Sequence, residues 1–199
     1  MRRRCGLVVV VAILMAASTA GVATAGGRTK TVFSARSREG QVWVSVDIAL
    51  HRTKEPFIPL AVAVYNTSRQ SIVLNHDSFW LVGTDGVAHK MPTIPELRKR
   101  YHKQSFDLTM VRLYGMPFGT RLDLEYLVPS NFFPLVENGS EGVRIQRVEL
   151  PQFYWTVDLL YFSRPAGLAK GEPVTLVVAP KGWDTPLHVK LSVRAGATG

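Results

Sequence analysis

The sequence is poor in cysteine and lacks the short motifs that carry most enzymatic chemistry. Its only cysteine is Cys5, so the rest of the chain can form no disulfide and offers no thiolate to a metal or a substrate. No Gly-x-Ser-x-Gly, Ser-x-x-Lys or His-Glu-x-x-His pattern occurs, and no glycine-rich phosphate loop. These absences argue against the common hydrolase classes, and we expect a protein that is not an enzyme and has no cofactor.

The longest apolar run lies at the N-terminus and has the pattern of an export signal. Three arginines at positions 2–4 precede apolar residues from Gly6 to Ala17, and Ala23-Thr24-Ala25 offers a small-residue cleavage site. This order is typical of a secretory signal peptide, here residues 1–25. The sequence therefore predicts a secreted or periplasmic protein.

An uncleaved membrane anchor is the alternative interpretation of the same segment. Small and apolar residues continue from Cys5 to Ala25, which approaches the roughly 20 residues that a membrane helix needs. The strongly hydrophobic part, Leu7 to Met15, is too short to span a bilayer. We expect cleavage, and no transmembrane segment in the exported product.

The chain after residue 25 is long enough for one domain and is mildly basic. The formal net charge of +9 falls to +6 once the three signal arginines are removed. Such a charge suits an anionic surface, for example a membrane or an acidic polysaccharide, and equally suits plain solubility. Nucleic acid is not expected as a partner, because no aromatic stacking platform accompanies the charges.

Apolar and polar residues alternate with a period of two along most of this domain, which predicts β-strands. The clearest run is Val42 to Leu50, and residues Trp155 to Phe162 are apolar on both faces, which indicates a central strand. Further alternating runs are Leu60–Val64, Leu122–Val128, Val174–Val178 and Val189–Val193. The core residues predicted from these runs are Val44, Val46, Leu60, Val62, Val64, Leu124, Val157, Leu159, Leu176 and Leu191.

Turn residues separate these strands and predict a β-sandwich or barrel. Asn66-Thr67-Ser68, Asp85-Gly86 and Lys170-Gly171-Glu172-Pro173 lie between apolar runs. Within the domain only Ile94 to Lys103 looks helical, with Pro95 and Glu96 at its start. We expect a flexible leader over residues 26–40 and one domain over 41–199, with a helical insertion near 92–116.

Residues Pro59 to His89 resemble the secreted immunoglobulin-like domains of bacteria, which include secreted antigens and lipoprotein domains. The matching features are Val62-Ala63-Val64-Tyr65-Asn66-Thr67, then Ser78-Phe79-Trp80-Leu81-Val82, then the Asp85-Gly86 hairpin. The later stretches Val148-Glu149-Leu150-Pro151 and Trp155-Thr156-Val157-Asp158-Leu159 are similar too. The resemblance implies an all-β, immunoglobulin-like β-sandwich with one short helical insertion, and a binding module rather than an enzyme.

The strongest local feature is the basic segment on the predicted helix. Arg98, Lys99, Arg100, Tyr101 and Lys103 place four fixed positive charges and one aromatic ring within six residues. Such a segment can hold phosphates or a membrane surface. Alternatively, Leu97 and Tyr101 dock the helix on the sandwich, and the basic residues form an ordinary solvated face.

Two clusters of adjacent aromatics suggest an exposed apolar patch. Phe132 and Phe133 lie in a predicted loop, and Tyr154 lies at a strand entry beside Phe153 and Trp155. Adjacent side chains on a strand point in opposite directions, so some of these rings must cover a loop or stay exposed. We therefore add Phe132, Phe133 and Tyr154 to the candidate binding residues.

Histidines and carboxylates offer weaker alternatives. His76 and His89, across the predicted hairpin, are the one pair that a metal carrier could use, although a surface position explains both. Asp123 and Glu125, two apart on a predicted strand, have a spacing that a carbohydrate-active site could use. We assign no catalytic residue and no metal ligand.

The sequence therefore predicts an exported, non-enzymatic binding or interaction module of the cell envelope or the extracellular space. Its partner is expected to be a protein or another envelope component, bound through the basic segment and the exposed aromatics. The alternatives are an envelope ligand- or carbohydrate-binding protein and a histidine-based metal carrier.

Overall fold

The structure is a computed structural model that describes residues 31–113, 124–137 and 140–193. The predicted signal peptide, residues 1–25, lies outside the described residues, as does the first part of the predicted leader. Over the described ranges, no helix is both long enough and apolar enough to cross a membrane.

The described chain is built mainly of antiparallel strands. The strands are β1 (Val32–Arg36), β2 (Gly40–Ser45), β3 (Phe57–Asn66), β4 (Ile72–Asn75), β5 (Phe79–Val82), β6 (Ala88–Lys90), β7 (Val136–Glu137), β8 (Ser140–Glu141), β9 (Arg147–Leu150), β10 (Trp155–Ser163), β11 (Val174–Val178) and β12 (Leu187–Leu191). The α-helices are α1 (Asp47–Leu50), α2 (Ile94–Arg100) and α3 (Gln104–Leu113), and short 3₁₀ turns cover His76–Ser78, Leu124–Tyr126 and Ala166–Lys170.

The strands form two four-stranded sheets packed face to face. The first has the order β1-β2-β3-β10 and the second the order β12-β11-β5-β6, and every pairing is antiparallel. Strand β12 contacts β1 and β2, while β6 contacts β10, so the two sheets approach each other at both edges. Strands β4 and β9 form a small separate sheet, as do β7 and β8.

The predicted fold class is confirmed: the chain is an all-β sandwich with a short helical insertion. Its arrangement is compatible with the immunoglobulin-like type. Nine of the ten predicted core residues are buried, and the side chain of the tenth, Leu124, lies outside the described ones. The Asp85-Gly86 hairpin joins β5 to β6, with Gly86 at a φ of 75°, where glycine avoids the cost of a Cβ.

Two segments at the start of the domain differ from expectation. The prediction of a flexible leader is wrong where strands form, because Val32–Arg36 form β1, which pairs with β2, and β2 itself begins at Gly40. The strand predicted over Val42 to Leu50 ends at Ser45 and is followed by α1. Here the Ser45 hydroxyl donates to Asp47 Oδ2 (2.6 Å) and accepts from the Asp47 N–H (3.2 Å), which replaces the ladder with a local turn.

The strand predicted over Leu122 to Val128 is also wrong where it is described. Residues Leu124–Tyr126 form a 3₁₀ turn, and Leu127 makes only an isolated bridge to Trp155. Beyond it the chain follows the outer edge of β10: the Val128 N–H donates to the Trp155 carbonyl, and Thr156 Oγ1 donates to the Val128 carbonyl.

Strand β10 was predicted to be central, but it is the last strand of its sheet. Its outer edge is covered by the irregular chain beside it rather than by a further strand, and the ring of Tyr161 packs against Tyr101 and Phe133. The apolar pattern of Trp155 to Phe162 correctly predicted that side chains on both faces of the strand are buried. The predicted central position in the sheet is wrong.

We expect Leu60→Ala to lower the free energy of unfolding by about 2–5 kcal/mol, through lost burial and the cavity left behind. Leu60 has no exposed surface and lies in the middle of β3, paired with Leu160. Urea unfolding followed by tryptophan fluorescence measures the change. Lys190→Ala, at an exposed site on β12, is the control and should stay within about 0.5 kcal/mol. An unchanged midpoint for Leu60→Ala would contradict the core assigned to β3.

Candidate functional site

The predicted helix begins and docks as its sequence indicates. Thr93 caps α2 by accepting from the Glu96 N–H (3.3 Å), and Pro95 lies in the first turn. Ile94 and Leu97 are buried on one face. The helix ends at Arg100, three residues earlier than predicted, and a second helix, α3, follows within the predicted insertion.

Tyr101 is a core residue, so its assignment to the binding surface is wrong. Only 2 % of it is exposed, and its ring packs edge-on against Phe57 with centroids 6.3 Å apart. The ring also lies 5.3 Å from that of Tyr161. Tyr101 extends the buried face formed by Ile94 and Leu97 at helical spacing. This agrees with the alternative prediction that Leu97 and Tyr101 dock the helix on the sandwich.

The hydroxyl of Tyr101 reaches a fully buried carboxylate, Asp107 of α3. Arg52 Nε donates to Asp107 Oδ1 (2.8 Å), and Arg52 Nη2 lies 2.6 Å from the same oxygen. Tyr161 of β10 adds a longer hydrogen bond of 3.4 Å to Oδ2. We call these four residues the Asp107 cluster.

The electrostatics of the Asp107 cluster are those of a buried ion pair. Burial raises the pKa of Asp107, and the Tyr101 hydrogen bond and the Arg52 charge offset part of that rise. Burial has the largest single effect on the pKa of Arg52 and lowers it, but the charge and hydrogen bond of Asp107 together with those of Tyr101 outweigh burial, so the net direction is upward. Burial also raises the pKa of Tyr101 and Tyr161, so both phenols stay protonated as donors.

The Asp107 cluster joins four parts of the fold. Arg52 follows α1, Tyr101 directly follows α2, Asp107 lies in α3 and Tyr161 lies in β10. Arg164 supports Arg52 from behind, since it donates to the carbonyls of Arg52 and Glu55. The positions of α2 and α3 on the sandwich are therefore fixed by one set of hydrogen bonds.

The solvent side of the same junction is basic. Lys99, Arg100, His102 and Lys103 are exposed, and Arg98 is half-buried with Nη2 donating to the Pro134 carbonyl (3.2 Å). Arg100 forms an exposed ion pair with Glu96 (3.6 Å). In the described part of the chain, Lys99 and Lys103 have no ion-pair partner.

One exposed aromatic ring lies on α3, the helix that directly follows these charges. Phe106, in the first turn of α3, is 55 % exposed, and the guanidinium carbon of Arg52 lies 5.0 Å from its ring centroid. His102 precedes Phe106 by four residues and Lys103 precedes it by three. We call the set Arg98, Lys99, Arg100, His102, Lys103 and Phe106 the basic corner. Sequence reasoning missed Phe106, because it did not predict α3.

Phe132 and Phe133 are buried, 1 % and 4 % exposed, so their assignment to an exposed patch is wrong. Phe132 packs edge-on against Phe79, and Phe133 packs against Tyr161 at 5.3 Å. Gln104 of α3 donates to the Phe133 carbonyl (2.7 Å). Both rings lie in an irregular segment, which has no alternation, so each can turn inward.

Asp158 of β10 anchors that irregular segment. Its carboxylate accepts from the Phe132 N–H (2.8 Å) and from its neighbour, the Leu159 N–H (2.8 Å). Burial raises the pKa of Asp158 to about 6, and the Phe132 and Leu159 hydrogen bonds limit the rise.

The second aromatic cluster has one exposed member. Trp155 is buried, and Tyr154 is half-buried with its ring edge-on to Tyr126 at 5.5 Å. Phe153 is 55 % exposed and has a φ of 66°, in a turn closed by a hydrogen bond from the Tyr154 N–H to the Pro151 carbonyl (3.2 Å). This turn joins β9 to β10, so Tyr154 is not part of the basic corner.

The described residues do not support the histidine-based metal site or the carboxylate-based carbohydrate site. His76 Nε2 lies 3.0 Å from the Pro92 carbonyl, and His89 lies in β6 opposite Leu81. The described residues hold no group of three histidine, cysteine or acidic side chains placed to bind a metal. Asp123 lies outside the described residues, and Glu125 is exposed in a 3₁₀ turn.

A small depression lies between the Asp85-Gly86 hairpin and the 3₁₀ turn Ala166–Lys170. Its cavity volume is about 10 Å³, far below the roughly 300–1,000 Å³ of typical ligand pockets. Thr84 Oγ1 donates to Glu172 Oε2 (2.5 Å) at its wall, so that carboxylate already has a partner.

We expect Asp107→Asn to lower the free energy of unfolding by about 3–5 kcal/mol, because it leaves the Arg52 charge buried without its counter-charge. Urea unfolding at neutral pH measures this. Glu96→Gln, which removes an ion pair on the exposed face of α2, is the matched control and should cost at most about 1 kcal/mol. Equal effects of the two substitutions would contradict the role given to the Asp107 cluster.

Asp158 predicts a pH dependence of stability. Its pKa in the folded state, about 6, exceeds the unfolded value of 3.8, so the fold favours the protonated form. The stability it contributes is present below about pH 4 and is lost as the pH rises to about 6, by up to about 3 kcal/mol. The free energy of unfolding of the wild type, minus that of Asp158→Asn, should fall over this range in urea titrations. A difference that is constant or rises with pH would contradict the assignment.

Comparison of the chain with protein-family models, curated proteins and solved structures finds no match. The similarity to secreted immunoglobulin-like domains therefore stays a prediction from the sequence.

Proposed function

We propose that this protein is an exported, non-enzymatic binding module of the cell envelope or the extracellular space, and that the basic corner is its binding surface. The observation that carries the proposal is the coincidence of exposed cations with one exposed phenyl ring. Lys99, Arg100 and Lys103 are exposed, and Phe106 is 55 % exposed at the same helix junction. Surfaces of this composition attract anionic partners and retain them by apolar contact.

The Asp107 cluster supports this proposal by holding the surface in one shape. Asp107 follows Phe106 directly, and Arg52 contacts both residues. Lys103 precedes Asp107 by four residues, and its carbonyl accepts from the Asp107 N–H (2.9 Å). A binding surface that is rigid before its partner arrives pays less conformational entropy on association.

The proposal keeps the basic residues named from the sequence and changes the apolar ones. Arg98, Lys99, Arg100 and Lys103 remain, and Phe106 replaces Phe132 and Phe133. The predicted signal peptide supports a partner outside the cytoplasm.

Removing three of the exposed charges should weaken binding while leaving the fold intact. We expect the triple variant Lys99→Gln/Arg100→Gln/Lys103→Gln, immobilised on beads, to retain less of the envelope components that the wild type retains, most strongly at low salt. Mass spectrometry and lipid and sugar analysis of the retained material measure this, and urea unfolding checks the fold.

The matched control removes the same number of charges elsewhere. Arg147→Gln/Lys181→Gln/Lys190→Gln changes three exposed cations of other elements and gives the same net charge. It should retain the wild-type set of components. If both triple variants lose binding equally, net charge rather than the basic corner is responsible.

A further inference from the structure

We propose that the partner of the basic corner is the surface of a bilayer that contains anionic phospholipids. This inference rests on the proposed function and names its partner. Cations of the corner would lie among the phosphate headgroups, and Phe106 would enter the boundary between headgroups and acyl chains.

The placement of Phe106 favours a bilayer over a soluble polyanion. An acidic polymer satisfies the cations and offers no apolar layer, so it gives a half-exposed phenyl ring no reason to be retained among them. A bilayer surface supplies both chemistries at a depth that one helix junction can reach. Lys103 directly precedes α3 and its carbonyl accepts from the Asp107 N–H (2.9 Å), while Phe106 lies in the first turn of that helix, so an exposed cation and the exposed ring lie at the same helix start.

The geometry of Phe106 supports insertion of the ring. The Arg52 guanidinium lies 5.0 Å from the ring centroid and is itself held by Asp107, so one side of the ring is fixed against the protein. Just over half of the residue, 55 %, remains open to solvent. The ring thus needs no rearrangement of the fold to contact an apolar layer.

Two cations of the basic corner have no acidic partner among the described residues. Glu96 pairs with Arg100 at 3.6 Å, and Asp107 is buried against Arg52. Within the described ranges this leaves Lys99 and Lys103 without a counter-ion from the protein. Anionic headgroups would supply one.

Co-sedimentation with lipid vesicles tests the inference. The exported protein is mixed with vesicles of phosphatidylcholine alone, or of phosphatidylcholine with phosphatidylglycerol, at low salt. We expect binding only where phosphatidylglycerol is present. Since each cation near an anionic surface contributes about 1 kcal/mol, Lys99→Gln/Arg100→Gln/Lys103→Gln should lower the partition coefficient by about 100-fold.

The matched variants separate the corner from general effects. Phe106→Ala should weaken binding to phosphatidylglycerol vesicles by about tenfold, since it removes the inserted ring. Phe153→Ala, which removes an equally exposed ring from the β9–β10 turn, should change it less than twofold. The control variant Arg147→Gln/Lys181→Gln/Lys190→Gln should stay within about threefold of the wild type.

Heparin, a soluble polyanion, identifies the alternative partner class. If heparin binds and phosphatidylglycerol vesicles do not, or if Phe106→Ala binds the vesicles like the wild type, the bilayer inference is wrong. The proposed function survives that result if the corner variant still loses envelope components on beads. It fails separately if the corner variant retains them all, whatever the vesicles show.

Discussion

The hydrogen-bonded ion pair between Asp107 and Arg52 is the constraint on which the proposed binding surface depends. A fully buried carboxylate is tolerated only when its oxygens are satisfied, and here a guanidinium and two phenols do so. The donors come from the end of α1, the end of α2 and from β10. Satisfying one carboxylate therefore fixes two helices on the sandwich. Replacing the cluster by apolar side chains could preserve burial, but it would remove this directional restraint.

A second carboxylate, Asp158, shows the same principle at the edge of the first sheet. Strand β10 has no further strand beyond it, and an irregular segment covers its outer edge through hydrogen bonds from Val128, Thr156 and Phe132. Because an irregular segment cannot continue the ladder, side chains complete the pairing. The cost is a carboxylate whose pKa is raised to about 6 by burial.

The sequence predicts the sandwich well because period-two alternation reports directly which face of a strand is buried. Leu60, Leu176 and Leu191 lie in the core as expected. It fails where local hydrogen bonds compete with the ladder, as at Ser45, and where an edge is covered by irregular chain, as beside β10. Alternation of apolar and polar residues reports neither effect. The turn at Ser45 depends on the conformation of one side chain, and the cover beside β10 depends on contacts with residues distant in the sequence.

The sequence predicted the basic residues of the candidate site but not its exposed aromatic ring. A run of charged residues is visible in any sequence, so Arg98 to Lys103 were found, but the burial of an aromatic ring depends on what faces it. Phe132 and Phe133 sit in a loop and are buried, whereas Phe106 sits in a helix and is exposed. Helix α3 buries the face that carries Gln104 and Asp107, and with 3.6 residues per turn position 106 lies on the opposite face of the helix. The packing that buries Asp107 therefore leaves the Phe106 ring exposed.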